Sequence, residues 1–162
     1  MMPNKSFDII CFDCDSTLSR IEGIDELAKM SGVAEQVRQL TQIAMDGELP
    51  LESVYERRLS LICPSRDAIE TLAGLYIDEM VEGAADVCAL LQQQGKQVHI
   101  ISGGIRQAIL PMAKQLALPL ENVHAVDVYF DACGNYHGYD TASPLARSGG
   151  KAEICSRLNK NH

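Results

Sequence analysis

The stretch Ile9-Ile10-Cys11-Phe12-Asp13-Cys14-Asp15-Ser16-Thr17-Leu18 decides the fold. An apolar run that ends in two carboxylates is typical of a buried parallel strand whose carboxyl end opens into a polar crevice. We predict a strand over 7–13, with Asp13 and Asp15 facing one bound group while Cys14 turns away. Two carboxylates this close stay ionised only beside a positive group, such as a divalent cation or a lysine. A plain turn that closes the strand is the alternative interpretation.

Composition limits the classes of function. The chain has 162 residues, of which 46% are hydrophobic and 22% charged, as expected for one globular domain with at most a small insertion. Its net charge of -8 argues against nucleic acid and favours small molecules and cations as partners. No apolar run approaches the roughly 18 to 20 residues of a membrane span, and residues 1–6 lack the apolar core of a signal peptide. We therefore expect a cytoplasmic protein without a membrane partner.

Six cysteines are spread along the chain in mostly apolar surroundings and without a repeating spacing. We interpret them as reduced, small hydrophobic side chains. The segment Cys11-Phe12-Asp13-Cys14 leaves open half a zinc site or a redox pair. No second pair of cysteines or histidines accompanies it, and the four histidines show no ligand spacing, so we assign them no role.

Apolar residues at helical spacing predict four consecutive helices after the first strand, over 22–30, 33–45, 51–62 and 65–77. A minimal βαβ unit needs only one helix, so the extra helices suggest an inserted cap over the strand ends. We predict an α/β fold with a Rossmann-like parallel sheet core at 1–18 and 80–162 and a helical cap at 19–79. The core continues with a helix at 83–94, a strand at 97–101, a helix at 104–116, a strand at 123–130, a hairpin with its return strand at 136–139 and a helix at 151–158.

Two glycine-containing segments are candidate phosphate sites. In Ile101-Ser102-Gly103-Gly104, backbone N–H groups, a hydroxyl and the start of a helix would converge on an anion. A tight turn that needs glycine for geometry alone is equally consistent with this segment. In Ser148-Gly149-Gly150-Lys151, a lysine opens a helix, where its charge opposes the helix dipole. An anion or a carboxylate nearby would explain that lysine, and a solvated side chain is the alternative.

These residues together carry a resemblance to a known family. Asp13-Cys14-Asp15-Ser16-Thr17 resembles the first motif, Asp-x-Asp-x-Thr/Val, of the haloacid-dehalogenase-like phosphohydrolases. The stretch Glu22-Gly23-Ile24-Asp25-Glu26-Leu27-Ala28 is similar to the phosphoserine phosphatase branch in particular. Ser102-Gly103-Gly104 matches the family's second motif and Lys151 its third. The resemblance covers 7–158, and three motifs in order are more specific than any one of them.

The resemblance implies roles for residues of the sheet core. Asp13 would be the nucleophile that forms an aspartyl-phosphate, and Asp15 would protonate the leaving oxygen and then deprotonate water. Mg²⁺ would be held by Asp13 and the backbone carbonyl of Asp15. Ser102 and Lys151 would bind the phosphoryl oxygens, together with the backbone of Gly103 and Gly104.

The resemblance also implies roles within the cap. Glu22 would receive the substrate ammonium, and Arg58 would bind its carboxylate in a fork. Met45 matches a residue that lies over the substrate. An acid and an arginine beside a phosphate site suit a phosphoamino acid. A glutamate at a helix start and a solvated arginine are the plain alternatives for the first two.

The sequence departs from the family pattern after the third motif. A fourth motif, Gly-Asp-Gly followed by a further acid, is expected shortly after Leu158, and no Gly-Asp dipeptide occurs in the chain. We therefore expect a core without its carboxy-terminal strands and a metal site with fewer protein ligands. The first strand would then form an exposed apolar edge, open to pairing with another chain or a second copy.

The function that the resemblance implies is Mg²⁺-dependent hydrolysis of O-phospho-L-serine to serine and phosphate, in serine biosynthesis. One alternative is an inactive remnant that still binds phosphoserine or phosphate. Another is a related phosphatase or phosphotransferase that acts on a different small molecule.

Overall fold

The structure is a computed structural model that describes residues 7–160, and its central element is a three-stranded parallel sheet. The strands are β1 (Ile9–Phe12), β2 (Gln97–Ile105) and β3 (Val123–Val126), arranged in the order β1-β2-β3. The register pairs Cys11 with His99 and Ile100 with Val123. Within the described residues β1 lies at one edge of this sheet, as the sequence predicts, and β2 is central. Pairing of that edge with another chain stays a prediction.

Helices cover the sheet because β2 is apolar on both sides. Val98, Ile100 and Ile101 are each at most 3% exposed. The helices α5 (Ala84–Gln93), α6 (Arg106–Gln115) and α7 (Gly150–Lys160) contact the sheet strands. This is the layered α/β arrangement predicted from the alternating pattern.

Four helices lie between β1 and α5, as predicted. They are α1 (Gly23–Met30), α2 (Ala34–Met45), α3 (Leu51–Ile62) and α4 (Arg66–Asp78). Their apolar positions form the predicted inner faces, since Val37, Leu59 and Leu72 are at most 1% exposed. The Ser65 hydroxyl caps α4 by accepting from the Ala68 N–H at 3.1 Å. α4 packs against α6. The division into a core and a separate cap at 19–79 stays a prediction.

The sequence prediction is wrong about where β2 ends. We expected a turn at Ser102-Gly103 and a helix from Gly104, but the strand continues to Ile105 and α6 begins at Arg106. The register with β3 shifts between Ile101 and Ile105, so this part of the strand is irregular. Close packing explains the glycines: a Cβ on Gly103 would lie 3.3 Å from the Leu145 carbonyl oxygen.

The single strand predicted over 123–130 is also wrong. The chain leaves the parallel sheet at Asp127 and forms β4 (Val128–Phe130), which pairs in antiparallel fashion with β5 (Tyr136–Tyr139). The Gln107 side chain donates to the Val128 carbonyl at 2.8 Å and accepts from the Val128 N–H at 3.2 Å, where the chain changes sheets. The predicted hairpin itself is confirmed.

Two predictions from composition can be compared with the structure. All six cysteines are free, as the prediction of reduced side chains requires; Cys14 and Cys88 are buried, whereas the other four are exposed. Across residues 7–160, no helix combines the length and the apolar character needed to cross a membrane.

Candidate active site

A cavity of about 430 Å³ opens where β1 and β2 end, between the sheet and the helices α1, α3 and α4. It lies where ligands bind in open α/β folds. Most of the residues singled out from the sequence line it: Asp13, Asp15, Glu22, Arg58, Gly103, Gly104 and Lys151. The structure therefore brings the three sequence motifs to one place.

Asp13 and Lys151 form the charged centre of the cavity. The Lys151 Nζ donates to Asp13 Oδ2 at 2.5 Å, and the Cys14 N–H donates to Asp13 Oδ1 at 2.8 Å. The two side chains remain 53% and 35% exposed, so the pair is accessible from the cavity. Lysine is thus the positive neighbour, one of the two candidates that the paired carboxylates predicted.

Close packing at the start of α7 places Lys151. Gly149 has a positive φ of 77°, which favours glycine. A Cβ on Gly150 would overlap the carbonyl group of Pro144, so only glycine fits there. The first turn of α7 is therefore held against the segment Pro144–Ala146, and Lys151 follows directly from it.

Three donors surround the Asp15 carboxylate. Its Oδ1 accepts from the Gly23 N–H at 2.7 Å and from the Tyr76 hydroxyl at 2.7 Å. Its Oδ2 accepts from the Ser102 hydroxyl at the longer distance of 3.3 Å. A Cβ on Gly104 would lie 3.0 Å from Oδ2, which explains the glycine at that position. Asp15 is fixed by these contacts, which come from three separate parts of the chain.

Ser102 is placed differently from its prediction as a phosphate ligand. It is completely buried, and its hydroxyl accepts from the Gly104 N–H at 2.9 Å while donating to Asp15. Gly103 and Gly104 line the cavity, whereas Ser102 does not. In this structure Ser102 organises the end of the strand, and its contact with phosphate stays a prediction.

Arg58 and Glu22 lie on the helical side of the cavity. The Arg58 guanidinium donates from Nη1 to the Thr41 hydroxyl at 3.4 Å and lies 6.0 Å from the centroid of the Tyr55 ring. Its buried Nε has no hydrogen-bond partner within residues 7–160, and burial lowers its pKa. The Glu22 carboxylate accepts from the Ser16 hydroxyl at 2.6 Å. Partial burial raises the pKa of Glu22, and the neighbouring carboxylates of Asp15 and Asp25 add to that effect.

Met45 and the three histidines of the described residues, His99, His124 and His137, lie outside the cavity lining. Met45 is the last residue of α2, and 77% of it is exposed. Its predicted contact with substrate therefore stays a prediction that this arrangement does not support. His99 and His124 face each other across β2 and β3, with ring nitrogens 3.0 Å apart.

Sequence reasoning missed two tyrosines of the cavity. Tyr55 on α3 donates to the Gly103 carbonyl at 2.9 Å and packs on the Tyr139 ring at 5.3 Å between centroids. Tyr76 on α4 is completely buried and bonds to Asp15. Both occupy inward positions of amphipathic helices, where a tyrosine resembles any other core residue. A polar atom on an otherwise apolar helix face was the only available signal.

The donors near Asp13 suit a hard cation, although they are few. Within the described part of the chain, no group of three or more His, Cys, Asp or Glu side chains is placed to hold a metal ion. The carboxylate of Asp13 and the backbone carbonyl of Asp15 are oxygen donors, as Mg²⁺ prefers. Mg²⁺ is often bound by one or two carboxylates, with water and phosphate supplying the remaining ligands. The residues present therefore fit a weakly held Mg²⁺.

The arrangement can support transfer of an anionic group. A carboxylate beside an ammonium is accessible as a nucleophile, and the ammonium offsets repulsion of an incoming anion. A second carboxylate, held by three donors, lies two residues away for proton transfer. An arginine and a glutamate of the same cavity lining add one charge of each sign.

A scan against protein families matches residues 7–161 to the haloacid dehalogenase-like hydrolases. The phosphoserine phosphatase of Rattus norvegicus is 41% identical over 155 residues, which are 96% of this chain and 69% of that protein.

Solved structures of phosphoserine phosphatases also match this chain. A substrate-bound phosphoserine phosphatase complex matches with a TM-score of 0.78 and 28% identity, covering 97% of this chain and 72% of that one. A phospho-aspartyl intermediate analogue of phosphoserine phosphatase matches with a TM-score of 0.74 and 29% identity, covering 96% and 72%. The predicted α/β fold and the predicted family are confirmed by these matches.

Proposed function

Because the chain belongs to the haloacid dehalogenase-like hydrolase family, we propose that it hydrolyses O-phospho-L-serine to serine and phosphate, in serine biosynthesis. One observation carries this proposal: a single cavity holds the Asp13–Lys151 pair on its sheet side and Arg58 and Glu22 on its helical side. A phosphoamino acid has a phosphate, a carboxylate and an ammonium, and each has an oppositely charged group in this cavity. The rat relative at 41% identity is a phosphoserine phosphatase, which supports the same substrate.

Asp13 is the proposed nucleophile. Its carboxylate oxygen attacks phosphorus, the new O–P bond forms an aspartyl-phosphate, and the bond from phosphorus to the serine oxygen breaks. Lys151, which lies 2.5 Å from Asp13 Oδ2, lowers the repulsion between the carboxylate and the incoming phosphate dianion. The backbone at Gly103 and Gly104 lines the same region and is suited to close approach by phosphoryl oxygens.

Asp15 is the proposed acid and base. It gives a proton to the serine oxygen as that oxygen leaves, which avoids release of a strongly basic alkoxide. In the second step it takes a proton from water, the water oxygen bonds to phosphorus, and the bond to Asp13 breaks. The protein returns to its starting state, with Asp15 protonated for the next turnover.

Mg²⁺ is the proposed cofactor, since enzymes of this family are generally metal-dependent. The Asp13 carboxylate and the Asp15 backbone carbonyl are the residues of this chain that would hold it. When bound, the ion supplies positive charge for the phosphoryl oxygens.

Recognition of the amino acid is assigned to Arg58 and Glu22. A carboxylate binding at Arg58 would supply a partner to a half-buried guanidinium that has one long hydrogen bond in the described structure. The substrate ammonium would lie against Glu22, whose carboxylate is only partly compensated by Ser16. Met45 would have to move toward the cavity to cover the substrate, as its predicted role requires.

The direct test is phosphate release from L-phosphoserine by the purified chain in Mg²⁺, with Asp13→Asn and a chelator as controls. We expect release that needs both Asp13 and Mg²⁺. Preference for another phosphate monoester would support the related phosphatase. Calorimetric binding of phosphoserine without turnover would support the inactive remnant.

A further inference from the structure

Tyr76 contacts the residue on which proton transfer depends, although no sequence motif includes it. We propose that Tyr76 is a positioning residue that holds Asp15 in the orientation needed to protonate the leaving group. This inference rests on the proposed function, because it assigns the support for the proposed acid. It assigns no proton transfer to Tyr76 itself.

The two carboxylate oxygens of Asp15 differ in the number and length of their hydrogen bonds. Oδ1 accepts two short bonds of 2.7 Å, from the Tyr76 hydroxyl and the Gly23 N–H. Among residues 7–160, Oδ2 has only the long contact of 3.3 Å from Ser102. Since short bonds restrict an oxygen and a long one leaves it available, Oδ2 is the atom assigned to exchange the proton with substrate.

The Tyr76 hydroxyl lies in a packed interior. The residue is completely buried, and its hydroxyl donates to Asp15 Oδ1 at 2.7 Å. Close packing restricts the ring to one position, so the hydroxyl restricts Asp15 in turn. Orientation of Asp15 is therefore the role that we assign to Tyr76.

The absence of a side chain at Gly23 leaves the space that this hydroxyl occupies. A Cβ on Gly23 would overlap the Tyr76 hydroxyl, so a side chain there would push the tyrosine away from Asp15. Gly23 begins α1 and Tyr76 lies near the end of α4. The orientation of Asp15, which follows β1, is thus set by groups of α1 and α4.

The test compares two leaving groups in Tyr76→Phe. Acid quenching traps the phosphoenzyme, so the first step is measured before water is needed. Phosphoserine must expel a basic alkoxide, whereas acetyl phosphate expels acetate, which needs no proton. We expect phosphoenzyme formation from phosphoserine to slow by about 10- to 100-fold, with KM within about threefold. Formation from acetyl phosphate should change by less than about threefold.

Two further variants make this test specific. Tyr55→Phe removes another buried hydroxyl of the cavity, one that bonds to the Gly103 carbonyl instead of Asp15. Its ratio of rates between the two substrates should equal that of the unaltered chain. Gly23→Ala should reproduce the altered ratio of Tyr76→Phe. Equal slowing of both substrates in Tyr76→Phe would show a merely structural role and overturn the proposal.

A measurement without turnover separates this inference from the proposed function. In a double-mutant cycle of Tyr76→Phe and Asp15→Ala, we expect the unfolding constants to be coupled by roughly tenfold or more. An unaltered chain that forms no phosphoenzyme would overturn the proposed function, and the cycle alone would then decide whether Tyr76 holds Asp15. Additive effects in the cycle would overturn the positioning role.

Discussion

The sheet side of the cavity and its helical side differ in how completely their charged groups are paired. On the sheet side, Asp13 is paired with Lys151 and Asp15 accepts three hydrogen bonds. On the helical side, Arg58 has a buried Nε without a partner among residues 7–160, and partial burial raises the pKa of Glu22. The charged groups of the sheet side are therefore paired without a ligand, whereas on the helical side Glu22 accepts a bond from Ser16 and the Arg58 Nε has no partner within the described residues.

The difference indicates a division of work. Groups already held in place can stabilise a transition state without reorganising, as catalysis requires. A buried donor without a partner costs about 1–3 kcal/mol, and a ligand that supplies the partner removes that cost. We therefore assign the chemistry to the sheet side and substrate selection to the helical side.

The largest expected effect comes from Asp13→Asn. Removing the proposed nucleophile should lower turnover of every phosphate monoester by about 10⁴-fold or more. Circular dichroism provides the control, because the variant should still fold. Turnover that survived in the folded variant would contradict the assignment of chemistry to Asp13.

Lys151→Met should have the next largest effect. Loss of the charge beside Asp13 should lower kcat/KM by about 10²- to 10³-fold, and by similar factors for different phosphate esters. The matched control is Lys114→Met, an exposed lysine at the end of α6, which should leave kcat/KM unchanged. A loss confined to phosphoserine would place Lys151 among the selecting groups instead.

Arg58→Lys should weaken binding more than chemistry. A lysine cannot form the two-pronged contact with a carboxylate, so KM for phosphoserine should rise by about 10- to 30-fold with kcat within about threefold. Arg57→Lys changes the neighbouring residue, which is exposed and lies outside the cavity lining, and should have no effect. Steady-state kinetics distinguishes the two parameters.

Glu22→Gln should have a smaller effect that depends on pH. In its proposed role Glu22 would bind the substrate ammonium only when ionised, and burial raises the pKa of Glu22. KM for phosphoserine should therefore begin to rise on acidification at a higher pH than it would with an ordinary glutamate. Glu22→Gln should have a KM raised about tenfold above that pKa and should lose this pH-dependent rise. The control is Glu26→Gln, which changes a glutamate of α1, the helix that begins directly after Glu22. An unchanged pH profile in Glu22→Gln would contradict the proposed role of Glu22.

Met45→Ala should have the smallest effect. Because the side chain is 77% exposed and lies outside the lining, kcat/KM should change by less than about twofold. A tenfold rise in KM would show instead that α2 closes over the substrate, as the family resemblance implies.

Local patterns in the sequence predicted the elements better than their exact ends. The spacing of apolar residues predicted α3 with both of its observed ends, 51 and 62, because Pro50 and Pro64 bracket it. The end of β2 was wrong because glycines favour a turn locally, whereas here they allow close approach of Leu145 and Asp15. The motifs of the cavity lie at strand and helix ends, where local sequence is informative.

Contacts across long stretches of sequence set the rest of the site. Tyr76 and Asp15 are 61 residues apart, and no local pattern shows that they meet. The partners of Ser102 likewise depend on tertiary packing, which buries a hydroxyl that the motif alone would place on phosphate.

One ratio tests most directly whether the sheet side carries the chemistry and the helical side the substrate selection. It is the ratio of kcat/KM for L-phosphoserine to kcat/KM for phosphoethanolamine, which lacks the carboxylate. We predict that Arg58→Lys lowers this ratio by about tenfold or more while phosphoethanolamine turnover is kept. Lys151→Met should lower both values together and leave the ratio unchanged. An unchanged ratio in Arg58→Lys, or a shifted ratio in Lys151→Met, would contradict the separation of chemistry from selection.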